Sequence, residues 1–148
     1  MSLPAWANGW NKDIVQNSAG FLSVNQEALL AEVVETIIPT TDTPGAKSLG
    51  VHQFVQKVVA DCNDKASQDN FAKGLDAIDA SCKEKYQKPF ADCDTQQRLE
   101  ALKNAPQSFM GTAKWLTIKG YTTSEYVMTK LTHFEFAPAR YHGCVPVK

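Results

Sequence analysis

The side chains in this 148-residue chain that could do chemistry are three histidines, His52, His133 and His142, four cysteines, Cys62, Cys82, Cys93 and Cys144, and a loop carboxylate, Asp42. Their spacing assembles none of the common catalytic units. Nucleophilic hydrolysis needs a nucleophile, a base and an orienting group that can meet. The sequence has no G-x-S-x-G, no H-E-x-x-H, no phosphate-cradling glycine loop and no dinucleotide fingerprint. The cysteines form no C-x-x-C pair and the histidines lack the spacing that closes a zinc site, so no metal ligand set is assigned.

Each remaining candidate has a plain structural reading beside the chemical one. The histidines at predicted helix ends read as surface or capping groups rather than catalysts. Asp42 reads as a turn former whose carboxylate accepts backbone N–H bonds. Cys144, flanked by His142 in Tyr141-His142-Gly143-Cys144, reads as a disulfide or buried thiol sooner than as a reactive one. An even number of scattered cysteines fits either two disulfides formed in an oxidising compartment or four inert buried thiols. Four cysteines allow three pairings. Cys82 with Cys93 is the first expectation, because only a turn containing Pro89 is needed to bring them together, and Cys62 and Cys144 remain the other candidates.

The elements that must position these groups are helical. The length suits one domain. With 43% hydrophobic and 21% charged residues the composition argues against disorder, coiled coil and collagen. Fifteen basic residues against sixteen acidic ones, spread along the chain, leave no basic stripe for nucleic acid. No apolar run approaches the roughly 20 residues needed to cross a bilayer. Leu29, Leu30, Val33, Val34, Ile37 and Ile38 recur four apart and predict a helix over 25–38, opened by a Ser23/Gln26 capping box and stopped at Pro39. Thr40 to Ala46 is then a loop. Val51, Phe54, Val55, Val58, Val59 and Cys62 predict a helix over 50–63 despite the strand preference of valine. A third helix over 67–87, starting near Ser67, carries Phe71, Leu75, Ile78 and Cys82. Asp94 with Gln97 opens a fourth over 95–104.

A fifth helix, over 106–119, presents Phe109, Met110, Ala113, Leu116 and Trp115, with Trp115 expected in the core and Gly120 as the C-terminal cap. Thr122 and Glu125 suggest a capping box for a sixth over 124–132. The predicted fold is an all-α single-domain bundle of about six helices with an extended C-terminal tail from Phe134. Residues 1–22 are expected to form a flexible N-terminal segment ahead of a 23–148 domain.

Three segments together resemble the gluconate 2-dehydrogenase subunit 3 family, the small subunits of bacterial FAD-dependent sugar dehydrogenases. They are Glu35-Thr36-Ile37-Ile38-Pro39 with Thr41-Asp42-Thr43-Pro44-Gly45-Ala46 and Val51-x-x-Phe54; Leu116-Thr117-x-x-Gly120-Tyr121-x-Thr123-Ser124-Glu125; and Pro138-x-x-Tyr141-x-Gly143-Cys144. The resemblance implies a non-catalytic helical accessory subunit. Its partner would be a large glucose-methanol-choline type flavoprotein that holds FAD and oxidises the sugar or sugar acid, often with a cytochrome c subunit. No cofactor is expected in this chain. The resemblance also implies a periplasmic protein, escorted with its flavoprotein by a twin-arginine leader that is absent from the sequence as written.

The partner-binding residues expected from the sequence are Trp6, Trp10, Phe134, Phe136, Tyr141 and His142, with Asp42 and its loop as a weaker element. Aromatics on irregular backbone gain little from their own domain and can fill a neighbour's pockets. A competing reading is an independent ligand-binding domain or small enzyme that uses the tail cluster of Tyr141, His142 and Cys144.

Overall fold

The computed structural model describes residues 21–132 and Phe134, and all of the regular structure in that span is helical. Helix α1 (Val24–Ile37) starts where the sequence places it. The Ser23 hydroxyl accepts from the Gln26 N–H, and the Gln26 side chain accepts in return from the Ser23 N–H at 3.1 Å. The Gln26 amide also donates to the Asp76 carboxylate at 3.0 Å, which ties the cap of α1 to a later helix. The buried stripe of α1 is Leu30, Ala31, Val33 and Val34. Helix α1 contacts each of the four other α-helices and the 3-10 turn described below, so it is the axis of the bundle.

Helix α2 (Val51–Cys62) buries Val51, Val55 and Val59, one side chain per turn, and the helical period overrides the strand preference of valine. Helix α3 (Lys65–Tyr86) begins earlier than Ser67 suggests. Asp64 is the N-cap and accepts the Ser67 N–H at 3.2 Å, so Ser67 is the donor and not the start. The α3 core residues are Phe71, Leu75, Ile78 and Cys82. A 3-10 turn, Phe90–Asp92, follows, and it folds the fully buried Phe90 ring inward while the Phe90 N–H donates to Asp79 at 3.0 Å. Helix α4 (Thr95–Asn104) carries the expected Asp94/Gln97 capping box and buries Ala101 and Leu102.

Helix α5 (Gln107–Thr122) differs from expectation in three ways. It does not stop at Gly120 but runs through to Thr122, with Gly120 inside it and buried. A Cβ at that position would stand 2.6 Å from Phe54 Cδ1 and 3.1 Å from Val51 Cγ1, so the missing side chain lets α5 approach α2 closely. Thr122 does not open a capping box either. Its hydroxyl donates back to Ile118 O at 2.9 Å, and the Ser124 hydroxyl accepts the Val127 N–H at 3.4 Å instead. The last element, Val127–Leu131, is a π-helical turn, entered through helical residues Glu125 and Tyr126. Finally, Trp115 is not core: it is 58% exposed, whereas Phe109, Ala113, Leu116 and Thr117 face inward. The one buried polar side chain of that face, Thr117, is satisfied by donating to Ala113 O at 2.7 Å.

The core is a single cluster. Phe71 and Phe109 pack with ring centroids 4.9 Å apart, joining α3 to α5, and Phe21 meets Phe71 edge-on at 6.3 Å. Fully burying each Leu, Ile or Val of this cluster contributes about 1.5–3 kcal/mol, the main force that holds six short elements together.

Candidate interaction site

The loop between α1 and α2 is built from side chains on three elements. Glu35, in the last turn of α1, points its carboxylate under the loop and accepts three bonds. These come from the Thr40 N–H at 2.9 Å, the Thr40 hydroxyl at 2.7 Å and the Lys47 N–H at 3.0 Å. The Thr40 hydroxyl oxygen accepts in turn from the Gly45 N–H at 3.1 Å. A Cβ at Gly45 would lie 2.5 Å from both the Glu35 carboxylate and the Thr40 hydroxyl, so the network closes only around a glycine. The neck is shut by the Ala46 N–H, which donates to Ile38 O at 3.0 Å over a fully buried Ala46. From the far side, the Tyr121 hydroxyl of α5 donates to Pro44 O at 3.0 Å and lies 3.2 Å from the Thr43 hydroxyl.

Burial works against charge on Glu35, but the hydrogen bonds from Thr40 and Lys47 and the nearby Lys47 ammonium outweigh it and hold the carboxyl below its ordinary value. Glu35 is therefore an ionised brace. Asp42 does not fix this turn, as its sequence position suggests: it is exposed, and no backbone N–H among the described residues donates to its carboxylate. The acceptor of the turn stands seven positions earlier in the chain. The only cue to Glu35 in the sequence is a carboxylate one turn ahead of the helix-ending Pro39.

Elsewhere, carboxylates that line a groove are already engaged. A groove of about 290 Å³ between α1, α3 and the 3-10 turn is lined in part by Glu32, Asp76 and Asp79. Glu32 pairs with Arg98 Nη1 at 2.9 Å and with Lys47, Asp76 accepts from Gln26, and Asp79 accepts from Phe90 and pairs with Lys83. Arg98 also donates to Cys93 O at 3.0 Å, so it fastens the segment around the 3-10 turn to α1. No cluster of three potential metal ligands occurs among the described residues. His52 is the second residue of α2, half-buried, and its Nδ1 has no hydrogen-bond partner. Burial lowers its pKa, with Glu27 opposing and Lys47 adding to the shift.

The cysteines divide. Cys62 is exposed at the end of α2, while Cys82 and Cys93 are buried thiols side by side. Burial first, and then the neighbouring Cys93, pushes the Cys82 thiol up to about 11. Cys93 donates weakly to Pro89 O at 3.5 Å. Of the expected docking residues, Phe134 is 54% exposed, its N–H bonded to Met128 O at 2.7 Å, and Asp42 stands at the loop surface. Trp6, Trp10, His133, Phe136, Tyr141, His142 and Cys144 lie outside the described residues. The residue that sequence reasoning misplaced is Trp115. It lies two turns before Thr122 on the helix that braces the loop. Lys119 rests its ammonium 4.8 Å from the centre of its ring.

Two of the three segments that carry the family resemblance thus meet in space, through Tyr121 on Thr43 and Pro44. A family model described as gluconate 2-dehydrogenase subunit 3 matches residues 24–143. No curated protein and no solved structure matches the chain. The chain belongs to the gluconate 2-dehydrogenase subunit 3 family.

Proposed function

We propose that the chain is the non-catalytic small subunit of a membrane-associated, FAD-dependent sugar or sugar-acid dehydrogenase, and that it stabilises and escorts the large flavoprotein subunit during export. The observation that carries this reading is the family match over 24–143, a family of subunits of a multi-subunit dehydrogenase. The braced loop supports it. Three elements hold a surface loop in one conformation, an arrangement that lowers the ordering cost of docking against a partner. In this reading the flavin and the sugar site belong to the large glucose-methanol-choline type subunit, and electrons leave through a cytochrome c subunit where one is present. No helix among the described residues is long and apolar enough to cross a membrane, so in this reading attachment to the membrane comes through the partners.

Co-expression with the large subunit tests the proposal. The flavoprotein should reach the periplasm loaded with FAD only when this chain is present, and the isolated chain should show neither flavin absorbance nor sugar oxidation with artificial acceptors. Equal folding, FAD content and export of the large subunit without this chain would refute it.

A further inference from the structure

Helix α5 is apolar on two faces. Phe109, Ala113 and Leu116 fill the core, and the opposite face carries Gly111, Trp115, Ile118 and Thr122, spaced at four, three and four residues so that they form one stripe along the helix. Trp115 is 58% exposed and Ile118 44%. A Cβ at Gly111 would meet nothing within 4 Å, so the helix backbone is open one turn before Trp115. Lys114 flanks the stripe on one side and Lys119 on the other, and neither pairs with a carboxylate among the described residues. Tryptophan on an exposed helix face, with an open backbone beside it and unpaired cations at its edges, has the make-up of an interface centre: an apolar anchor within a charged rim.

We propose that the Gly111–Trp115–Ile118 face of α5 is the surface that docks on the large dehydrogenase subunit, seating Trp115 in an apolar pocket bordered by carboxylates that pair with Lys114 and Lys119. This rests on the reading of the chain as a subunit. Charge complementarity selects the occupant. Among the described residues no carboxylate pairs with either lysine, and Lys119 rests only against the indole, so a partner that supplies carboxylates satisfies both cations while the indole is removed from water. The face is also continuous with the braced loop, because Tyr121 in the last turn of the same helix holds Pro44. Exposure alone does not single it out. Val24 is 83% exposed but stands at the start of α1 among Ser23, Asn25, Gln26 and Glu27, with only the small Ala28 one turn on along its face.

The test is co-purification of the full chain with the large subunit, with helical content followed by circular dichroism. Trp115→Ala and Ile118→Glu should each weaken the complex roughly 30-fold or more. Lys114→Glu with Lys119→Glu should weaken it and flatten its salt dependence. Val24→Glu should leave it unchanged, and helical content should be preserved throughout because every altered side chain is exposed. If the wild-type complex forms and all of these variants retain it, the docking face is wrong while the subunit reading stands. Loss of binding to phosphatidylglycerol vesicles by Trp115→Ala, with the complex intact, would assign the face to a membrane and also overturn the proposal. If the wild-type chain forms no complex with the large subunit, the subunit reading falls and this inference with it.

Discussion

Glu35 holds Thr40 at two points, accepting its N–H at 2.9 Å and its hydroxyl at 2.7 Å, and through that hydroxyl it also positions the Gly45 N–H. Glu35→Ala leaves three donors without their acceptor. Thr40 and Lys47 are exposed enough for water to replace part of the loss, so the cost should be about 1–2 kcal/mol in denaturant unfolding. Hydrogen exchange at the Thr40, Gly45 and Lys47 amides should speed up while α3 amides stay protected. Unchanged exchange in the loop would show that Glu35 is not its brace.

The ionisation of Glu35 gives that stabilisation a pH signature. Its folded pKa is held below the ordinary value, so the contribution is present above the unfolded carboxylate range and is lost as pH falls through the folded pKa. The stability difference between wild type and Glu35→Gln should therefore be widest near neutrality and should close on acidification. A difference that stays constant down to the acid limb would place the effect in packing rather than charge.

Much of this was legible in the sequence, for reasons that separate by length scale. The stripes of α1 and α2 and the Ser23/Gln26 and Asp94/Gln97 capping boxes are local patterns, and the structure keeps each of them except at Cys62, which closes the α2 stripe in the sequence but is exposed where the helix ends. Trp115 stands outside the core, against the expectation from its helix, because α5 has apolar residues on both sides. Periodicity reports that a helix exists but not which of two apolar faces meets the core. A glycine near a helix end likewise reads as a cap, unless one knows that Phe54 of another helix will press against it. Glu35 escaped because its partners follow a chain reversal, and short-range spacing carries no record of that.

Tyr121 reaches the loop from a distance of 77 residues along the chain, its hydroxyl on Pro44 O. Tyr121→Phe keeps the ring and removes that bond together with the contact to Thr43, for an expected loss of about 1 kcal/mol. Combined with Glu35→Gln the losses should not add, because both residues order the same loop. A double-mutant cycle with no coupling would mean that the two braces act on separate structures.

Cys82 and Cys93 are placed to join α3 to the end of the 3-10 turn, and we expect them to form a disulfide in an oxidising compartment. The peptide pair recovered without reduction should then be lighter by two hydrogens, and reduction should cost about 3 kcal/mol and lower Tm. In the thiol form, burial and Cys93 keep Cys82 protonated at neutral pH, so iodoacetamide should label exposed Cys62 first. Rapid labelling of all three in the native, oxidised protein would contradict the pairing.

Two glycines of α5 should respond oppositely to the same substitution. In an unobstructed helix, alanine is better than glycine by about 1 kcal/mol, because it restricts the unfolded chain. At Gly111 a Cβ meets nothing within 4 Å, so Gly111→Ala should stabilise the isolated chain by close to that full amount and raise its Tm. At Gly120 the new methyl would stand 2.6 Å from Phe54 Cδ1 and 3.1 Å from Val51 Cγ1. Phe54 is half-buried and its ring can swing, but Val51 is almost fully buried and belongs to the core of α2, so α5 must move away from α2. Overpacking of that kind costs about 1–3 kcal/mol and exceeds the propensity gain, so Gly120→Ala should lower Tm. In a Phe54→Ala background, which vacates the ring's space, Gly120→Ala should cost less than it does in the wild-type chain. If Gly120→Ala stabilises the protein as much as Gly111→Ala, the close approach of α5 to α2 is not what Gly120 serves.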